Sequence, residues 1–343
     1  MIQPDRLVYV NMTRGDTVTY QQIGEYRISR VGIGTVQFGM EYGISNTTGQ
    51  VPFPEVIEIF TTAREQGLNF VDTAPVYGDS EQTIGKALSE IGARDEFVVC
   101  TKLDLQPSIE NADDRAIVSA VRTRVAQSLK SLRLERLPLF LLHRVEHLTA
   151  RNGIIWDCLL REKAAGRIAN LGVSVDGSTP DHALSCIKNP DVAAVQIPLN
   201  VLDYRWREAG VLTAAEIAGT AVITRSSYLK GLLAMNLENI PGFLSDAIPH
   251  VSFISDVARE IGISVGELVL RYVFSVPSIA TTIIGVDTTN QFRENLAIFR
   301  KGPLPDEILT RLESRITEIP DLVLVPALWN QHQKMETYER DTV

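Results

Sequence analysis

The sequence predicts a single (β/α)8 barrel, an eight-stranded parallel barrel with an additional C-terminal helix and tail. From about residue 31 the chain alternates between short apolar runs and longer segments with helical periodicity. This alternation is typical of βα units that share a parallel sheet. Polar residues stand at the C-terminal ends of several apolar runs, and barrel enzymes build their active sites at that rim.

The predicted strands are short and rich in β-branched and aliphatic residues. They are, in chain order, Val31–Thr35, Leu68–Asp72, Phe97–Lys102, Leu137–His143, Ile168–Ser174, Ala193–Gln196, Ala221–Thr224 and Ala280–Ile284. Eight such strands can form either a closed barrel or an open doubly wound sheet.

The segments between the strands have the periodicity of amphipathic helices. In Pro54–Gln66 the apolar residues recur on one face, and Gly67 follows as a helix stop. Asp113–Leu132 begins with acidic residues, which suit the positive end of a helix dipole, and again has one apolar face. One face of each helix can therefore cover the sheet.

The positions of polar residues favour the closed barrel. Five polar side chains each end a different predicted strand: Asp72, Lys102, His143, Ser174 and Gln196. An open sheet usually concentrates its chemistry at one crevice, with a G-x-G-x-x-G turn after the first strand. Here Gly32 and Gly34 lie inside the first predicted strand, and no third glycine completes that motif.

One long domain with an extension at each end is predicted. The barrel is expected over residues 19–320, because barrels of this class often exceed the usual domain length. Residues 1–18 form a predicted N-terminal extension, which we expect to supply a strand that closes the barrel floor. Residues 321–343 form a predicted C-terminal tail.

Composition and charge exclude several classes of partner. The chain has 45% hydrophobic and 22% charged residues, as in an ordinary globular protein with a large core. Its net charge is −9 and it has no cluster of basic residues, which argues against a nucleic-acid partner. It has neither a signal-length apolar run near residue 1 nor a run of membrane-spanning length. We expect a cytoplasmic protein without a membrane partner, and the oligomeric state is not indicated.

Neither a disulfide framework nor a metal site is predicted. The cysteines Cys100, Cys158 and Cys186 are widely spaced and odd in number, which fits buried reduced thiols. His143 and His147 are four residues apart, but His143 lies in a strand-like run rather than on a helix, so they do not match a helical metal motif.

Six segments, taken in order, resemble the aldo-keto reductase superfamily across about residues 23–318. They read IGEYRISRVGIGTVQFG, VDTAPVYGDSEQTIGKAL, SLKSLRLERLPLFLLHR, GRIANLGVS, VAAVQIPLN and IIGVDTTNQFRENL. The resemblance implies an NAD(P)(H)-dependent oxidoreductase that transfers a hydride between nicotinamide C4 and a carbonyl or alcohol carbon.

The resemblance also implies a catalytic set of four residues. Tyr77 is the implied general acid in reduction, Lys102 and Asp72 are the pair that tunes it, and His143 orients the carbonyl. An isolated phenol, with a pKa of about 10, is a poor proton donor at neutral pH. A neighbouring ammonium is expected to lower the pKa of Tyr77, and a carboxylate keeps that ammonium charged. Taken singly, each residue is more often structural, but together on successive strand ends they indicate catalysis without a metal.

The residues that the resemblance assigns to the dinucleotide come from several strand ends and loops. They are Gly34, Thr35, Ser174, Gln196, Arg225, Ser226, Leu229, Gly285, Asp287, Gln291, Glu294 and Asn295. Ser174 and Gln196 are expected to bond the nicotinamide carboxamide, although Val175 stands where the family often has asparagine. Arg225 stands where relatives often place an aromatic residue. It can stack on the nicotinamide, bind a polar or anionic substrate, or form a salt bridge.

The expected cofactor is NADP(H) or NAD(H), and one segment argues for NAD(H). Relatives that bind a 2′-phosphate commonly have Lys, Arg or Ser where this chain has Gly285, Val286 and Asp287. A carboxylate there should repel a phosphate and can accept a hydrogen bond from a free ribose hydroxyl. We therefore expect meaningful use of NAD(H), against the family's usual preference for NADP(H).

The segments RSSYLKGLL and GTVQFGMEYGI resemble family members found in sugar and polysaccharide pathways. A sugar-derived carbonyl or alcohol is therefore the expected substrate, and Arg225 with Arg205 or Arg207 nearby suits a hydroxylated or anionic molecule. Two alternatives stay open. One is a nicotinamide-binding redox sensor or channel-associated regulatory subunit with little turnover, and the other is a non-redox barrel lyase or isomerase.

Overall fold

A closed barrel of eight parallel strands forms the centre of the computed structural model, in which residues 19–44, 46, 49–316 and 318–329 are described. The strands are β1 (Tyr20–Ile23), β2 (Tyr26–Ser29), β3 (Val31–Gly34), β4 (Phe70–Asp72), β5 (Val98–Leu103), β6 (Leu137–Leu142), β7 (Ile168–Ser174), β8 (Val192–Pro198), β9 (Ala221–Arg225) and β10 (Ile279–Gly285). Strands β3 to β10 neighbour one another in chain order, and β10 pairs with β3 to close the barrel. The predicted fold class is confirmed, and each predicted strand overlaps an observed one.

Helices surround the barrel. They are α1 (Val36–Gly39), α2 (Phe53–Glu65), α3 (Ser80–Glu90), α4 (Pro107–Glu110), α5 (Asp114–Leu132), α6 (Ile154–Ala164), α7 (Pro180–Ile187), α8 (Arg205–Glu208), α9 (Val211–Ala218), α10 (Ile248–Glu260), α11 (Val265–Phe274), α12 (Thr289–Arg300), α13 (Asp306–Arg315) and α14 (Asp321–Leu324). The Asp113 side chain caps α5 by accepting a hydrogen bond from the Ala116 amide, a typical use of an N-cap aspartate. None of the helices in the described ranges is both long and apolar enough to cross a membrane.

Two hydrophobic cores hold the barrel together. The inner core fills the barrel and includes Phe70, Cys100 and Leu141. The larger outer core lies between the strands and the helices, where the apolar faces of the helices are buried. Two cores arise because successive side chains of a strand point to opposite faces, and both faces of this sheet are covered.

An antiparallel hairpin of β1 and β2 covers the N-terminal ends of the barrel strands. Ile23 and Ile28 of this hairpin are buried in the inner core, and the Ser29 amide donates to Asn69 Oδ1 just before β4. The predicted floor strand in residues 1–18 lies outside the described residues. The floor that the structure describes is made by residues 20–29.

The start of the predicted C-terminal tail packs against the barrel. Val323, Leu324 and Trp329 are buried in the outer core, and the Trp329 indole donates to the Leu322 carbonyl at 2.7 Å. This apolar segment brings Trp329 close to the loop that follows β9, where Lys230 lies 5.7 Å from its ring centre.

Candidate active site

The four predicted catalytic residues meet at the C-terminal rim of the barrel. Asp72 ends β4, Lys102 lies near the end of β5, and His143 directly follows β6. Tyr77 lies in the loop between β4 and α3. Parallel strands place their carboxyl ends at the same rim, so these residues converge although they are far apart along the chain.

Lys102 and Asp72 form a buried ion pair. The Lys102 ammonium is 2.8 Å from each carboxylate oxygen of Asp72 and 2.9 Å from the Thr73 carbonyl. Burial is the largest single effect and lowers the pKa of Lys102. The negative charge and hydrogen bond of Asp72, together with Tyr77 and Cys100, outweigh burial, so the net pKa is raised above 10.5. Lys102 therefore carries its positive charge at neutral pH inside the rim.

Tyr77 lies beside this ammonium. Its hydroxyl is 3.5 Å from Lys102 Nζ, at the outer limit of a hydrogen bond, and the same nitrogen is 5.1 Å from the ring centre. Burial raises the pKa of Tyr77 above 10.0, and this effect outweighs the lowering by Lys102. The expectation of a net lowered pKa is wrong for the free protein, because desolvation of the phenolate exceeds the attraction of the ammonium. Tyr77 therefore keeps its proton at neutral pH.

His143 completes the group as a neutral imidazole. Its ring packs edge to face with Tyr77, with ring centres 6.2 Å apart and an interplanar angle of 88°. Burial, followed by the positive charges of Lys102 and Arg225, lowers the pKa of His143 from 6.5 to about 3. A neutral imidazole has one N–H donor, so it can bond an oxygen that lies beside the tyrosine hydroxyl.

Buried hydroxyl groups hold the loop that carries Tyr77. Thr35 Oγ1 donates to the Asp72 carbonyl at 2.8 Å, and Ser80 Oγ lies 2.8 Å from the Thr35 carbonyl. Thr73 Oγ1 is 3.0 Å from Ser80 Oγ. These bonds tie the start of α3 to the end of β3.

Two glycines allow a close backbone approach beneath Tyr77. A Cβ atom on Gly39 would overlap the Tyr77 carbonyl and the Ser80 amide, and one on Gly78 would overlap the Gly39 carbonyl. Gly78 also has a φ of +61°, which disfavours other residues. Neither position was predicted from the sequence, because glycines near a turn do not by themselves reveal what packs against them.

Ser174 and Gln196 form a polar pair that extends to the ion pair. Gln196 Nε2 donates to Asp72 Oδ1 at 2.8 Å, and Ser174 Oγ donates to Gln196 Oε1 at 3.2 Å. The structure therefore brings together the two residues predicted to bind a carboxamide, on the adjacent strands β7 and β8. It also links them to Asp72, a contact that strand positions alone did not predict.

The loop after β9 has an unusual backbone. Ser226, Leu229 and Lys230 have positive φ values of 65°, 48° and 55°. Such conformations are strained for residues other than glycine, and they concentrate at functional sites. Turns that combine right- and left-handed residues also form concave sets of amides suited to anions. The hydroxyl of Ser227 is buried without a hydrogen-bond partner among the described residues, so this loop has a free group for a ligand.

The loop after β9 faces the start of α12. Tyr228 donates to Asn295 Oδ1 at 3.1 Å, and Gln291 Oε1 accepts a bond from the Asp287 amide at 2.8 Å. The buried hydroxyl of Thr289 has no partner among the described residues. Of the other residues predicted to bind the dinucleotide, Glu294 lies exposed on α12. The residues predicted for the adenosine side are thus gathered around one helix N-terminus, which favours anions.

Two carboxylates lie at this helix N-terminus. The carboxylate of Glu55, from α2, accepts a bond from the Thr289 amide, and this bond lowers the pKa of Glu55. Asp287 Oδ1 accepts a bond from Asn46 Nδ2 at 3.1 Å, and burial raises the pKa of Asp287. Glu55 was not predicted from the sequence, because only the packing of α2 against α12 brings residue 55 to residue 289.

Neighbouring strands bring the remaining predicted residues to the same rim. Gly34 pairs with Asp72 on one side and with Gly285 on the other. A Cβ on Gly285 would approach the Gln37 side chain within 2.8 Å, so a larger residue would crowd this position. The Leu229 side chain is buried, and its amide donates to the Ser226 carbonyl at 2.9 Å.

Arg225 forms no ion pair with any described carboxylate. Its guanidinium donates to the Val175 carbonyl at 3.0 Å and lies 3.2 Å from Ser226 Oγ. The salt-bridge interpretation of Arg225 is therefore wrong for the described residues, which leaves its guanidinium available for ligand binding.

Arg205 and Arg207 are engaged elsewhere. Arg205 pairs with Asp203 at 2.8 Å and with Asp321 at 3.0 Å, and Arg207 pairs with Glu313. The expectation that either arginine supplies free charge to the substrate pocket is wrong, because these carboxylates neutralise them.

The described residues contain neither a disulfide nor a cluster of side chains suited to a metal ion. Cys100, Cys158 and Cys186 are buried and unpaired, and burial raises the pKa of each thiol. Within the same ranges, no group of three or more His, Cys, Asp or Glu side chains is placed to hold a metal ion.

Comparisons with known proteins agree with the geometry. The model of the Aldo/keto reductase family matches residues 30–316. Aldo-keto reductase str7 of Strobilurus tenacellus is 25% identical, over 80% of this chain and 85% of its own. A probable voltage-gated potassium channel subunit beta of Oryza sativa subsp. japonica is 26% identical, over 85% and 96%. The structure of the glycerol dehydrogenase AKR11B4 from Gluconobacter oxydans has the same fold, with a TM-score of 0.66, 23% identity, and coverage of 89% of this chain and 98% of that chain.

Proposed function

Because this chain belongs to the aldo/keto reductase family, whose members are generally oxidoreductases that use nicotinamide cofactors, we propose that it interconverts a carbonyl compound and the matching alcohol. The observation that carries the proposal is the position of the Tyr77 hydroxyl, 3.5 Å from a buried ammonium that is itself paired with Asp72. Proton donors of this kind have to lie at the reacting oxygen in the correct protonation state.

The residues of the site suit the chemistry of carbonyl reduction. A bound dihydronicotinamide supplies the hydride that the carbonyl carbon accepts. Tyr77 gives its proton to the carbonyl oxygen, and Lys102 stabilises the phenolate that remains. The neutral His143 donates a second hydrogen bond to the same oxygen, as an oxyanion-hole donor does. In the reverse direction Tyr77, once deprotonated, removes the proton of the alcohol.

The polar groups of the rim fit a dinucleotide. Ser174 and Gln196 offer donors and acceptors for a carboxamide, and the Asp72–Lys102 pair is close to them. The strained loop after β9 has a buried Ser227 hydroxyl without a partner among the described residues, which suits a diphosphate. At the start of α12 the carboxylates of Glu55 and Asp287 can accept hydrogen bonds from ribose hydroxyls.

NAD(H) is the preferred cofactor in this proposal. Asp287 and Glu55 place two carboxylates at the start of α12, where a 2′-phosphate would meet like charge. A free ribose hydroxyl can instead donate to a carboxylate. The kcat/KM ratio for NADH over NADPH measures the preference. An NADPH value one hundredfold above the NADH value would contradict it.

The proposed substrate is a hydroxylated, sugar-like carbonyl or alcohol. The glycerol dehydrogenase with the same fold acts, by its name, on a polyhydroxy alcohol. Arg225 has guanidinium N–H groups free to bond substrate oxygens. The three unpaired thiols fit a reducing compartment, so the proposed location is the cytoplasm.

A second candidate function is redox sensing by a regulatory subunit. It is favoured by the relative whose name describes a probable potassium channel subunit beta. A steady-state assay with NADH or NADPH and a panel of aldehydes, aldoses and ketoses separates the two functions. Oxidation of the nucleotide with at least one carbonyl supports the enzyme. Tight nucleotide binding without turnover of any carbonyl supports the sensor.

A further inference from the structure

Two cations at the end of β9 and in the loop that follows it form no ion pair with a described carboxylate. Arg225 ends β9, and Lys230 lies five residues further along the loop. The Arg225 guanidinium contacts only neutral oxygens, on Val175 and Ser226. Lys230 contacts aromatic rings, and neither cation forms an ion pair with a described carboxylate.

Lys230 connects three parts of the rim. Its ammonium is 5.6 Å from the ring centre of Tyr42, in the loop after α1, and 5.7 Å from that of Trp329. Its carbonyl accepts a bond from the Ile44 amide at 3.2 Å, which holds the loop of Tyr42 against the loop after β9. The ammonium therefore lies near two aromatic rings, on the loop that follows β9.

Arg225 acts on two of the residues proposed as catalytic. The positive charge of Arg225 contributes to lowering the pKa of both Tyr77 and His143. Tyr42 is close enough to Tyr77 and Arg225 for both to affect its own pKa, which burial raises. Arg225 therefore lies close enough to Tyr77, His143 and Tyr42 to affect their pKa values. Lys230 in turn lies 5.6 Å from the Tyr42 ring centre.

The proximity of the two cations is unfavourable in the free protein. Burial, and then the charge of Arg225, lower the pKa of Lys230. Partly buried like charges are normally separated or neutralised, because each disfavours the charged form of the other. A bound anion would remove this electrostatic penalty. The chain has a net charge of −9, so this local excess of positive charge would attract anions to one place on a protein that otherwise repels them.

We propose that Arg225 and Lys230 bind an anionic group, a carboxylate or a phosphate, on the carbonyl or alcohol substrate that Tyr77 protonates or deprotonates. This inference rests on the proposed function. It narrows the substrate to an oxo acid, a hydroxy acid or a phosphorylated sugar. Guanidinium and ammonium groups bond such oxygens through charge-assisted hydrogen bonds, which are stronger than neutral ones.

Matched substrates test the proposal. We would measure kcat/KM for 4-oxobutanoate against butanal, and for glyceraldehyde 3-phosphate against glyceraldehyde. The anionic member of each pair is expected to be favoured by about tenfold or more, which corresponds to roughly 1.4 kcal/mol. Lys230→Gln should reduce this preference for the anionic substrates about tenfold, mainly by raising their KM. Arg225→Lys keeps a positive charge at position 225 and should keep part of the preference. Arg207→Gln removes an equal charge that is already paired with Glu313, and should leave the preference unchanged.

Two outcomes would overturn the proposal. One is equal kcat/KM for the anionic and neutral members of both pairs. The other is a Lys230→Gln variant in which NADH affinity and the activity toward all four aldehydes fall by the same factor. Lys230 would then bind the diphosphate of the dinucleotide rather than the substrate.

If no aldehyde is reduced, the anion site can still be tested by measuring ligand binding with isothermal titration calorimetry. The anion site and the proposed reductase activity are then tested separately. In that case the protein should bind 4-hydroxybutanoate but not 1-butanol, and Lys230→Gln should abolish the binding of 4-hydroxybutanoate. This result would support the anion site although the proposed reductase activity fails. Absence of such binding would overturn the anion site as well.

Discussion

Lys102 donates to both carboxylate oxygens of Asp72 at 2.8 Å, and the lysine side chain has no exposed surface. The cost of burying the two charges is offset only while each has the other as partner. The pair also fixes the ammonium beside Tyr77, so the structural and the proposed catalytic role of Lys102 depend on the same contact.

Removing one member of this pair should destabilise the fold. Lys102→Met leaves Asp72 buried without its counter-ion, and we expect a loss of about 3–5 kcal/mol in the free energy of unfolding, measured with denaturant. The double variant Asp72→Asn/Lys102→Met should lose less than the sum of the single variants. Lys188→Met, at an exposed lysine, should change stability by less than about 0.5 kcal/mol. Additive losses in the double variant would contradict a coupled pair.

His143 should remain neutral across the physiological pH range. Its pKa is lowered to about 3, so lowering the pH from 8 to 5 should not protonate its ring in the folded protein. NMR titration of the histidine resonances, with His143 assigned through a His143→Gln variant, measures this directly. A His143 midpoint near 6.5 would show that burial and the neighbouring cations do not have the effect described here.

Gly39→Ala should displace the loop that carries Tyr77. The new Cβ would overlap the Tyr77 carbonyl, so the loop has to move, and we expect lower kcat with a smaller change in nucleotide affinity. Gly266→Ala is a matched control, because Gly266 also lies in a helix and its Cβ would meet only Tyr228 at 3.8 Å. Equal kcat values for the two variants would contradict a positioning role for Gly39.

Replacing Asp287, just before α12, should change the preference between NADH and NADPH. Asp287→Ser removes a negative charge that opposes a 2′-phosphate, and kcat/KM with NADPH should rise about tenfold relative to NADH. Asp191→Ser removes an exposed carboxylate just before β8, at the opposite end of the barrel, and should leave the ratio unchanged. A ratio that moves equally in both variants would indicate a general effect of net charge.

The barrel was predictable from periodicity, because eight apolar runs separated by amphipathic segments leave few alternative topologies. The four residues proposed as catalytic were predicted from strand ends and from the resemblance, and the structure brings them together. The pKa of Tyr77 was not, since its sign depends on whether burial or Lys102 dominates. The contact of Glu55 with Thr289 was also missed, because it joins residues 234 positions apart in the chain.

The role of Tyr77 is tested most directly by Tyr77→Phe, assayed together with nucleotide binding. The variant should bind NADH with unchanged affinity, because the hydroxyl contributes to proton transfer rather than to the dinucleotide contacts. Its kcat for carbonyl reduction should fall by at least roughly one hundredfold, the usual scale of general acid–base catalysis. A Tyr77→Phe variant with nearly unchanged kcat would remove Tyr77 from proton transfer and contradict the account.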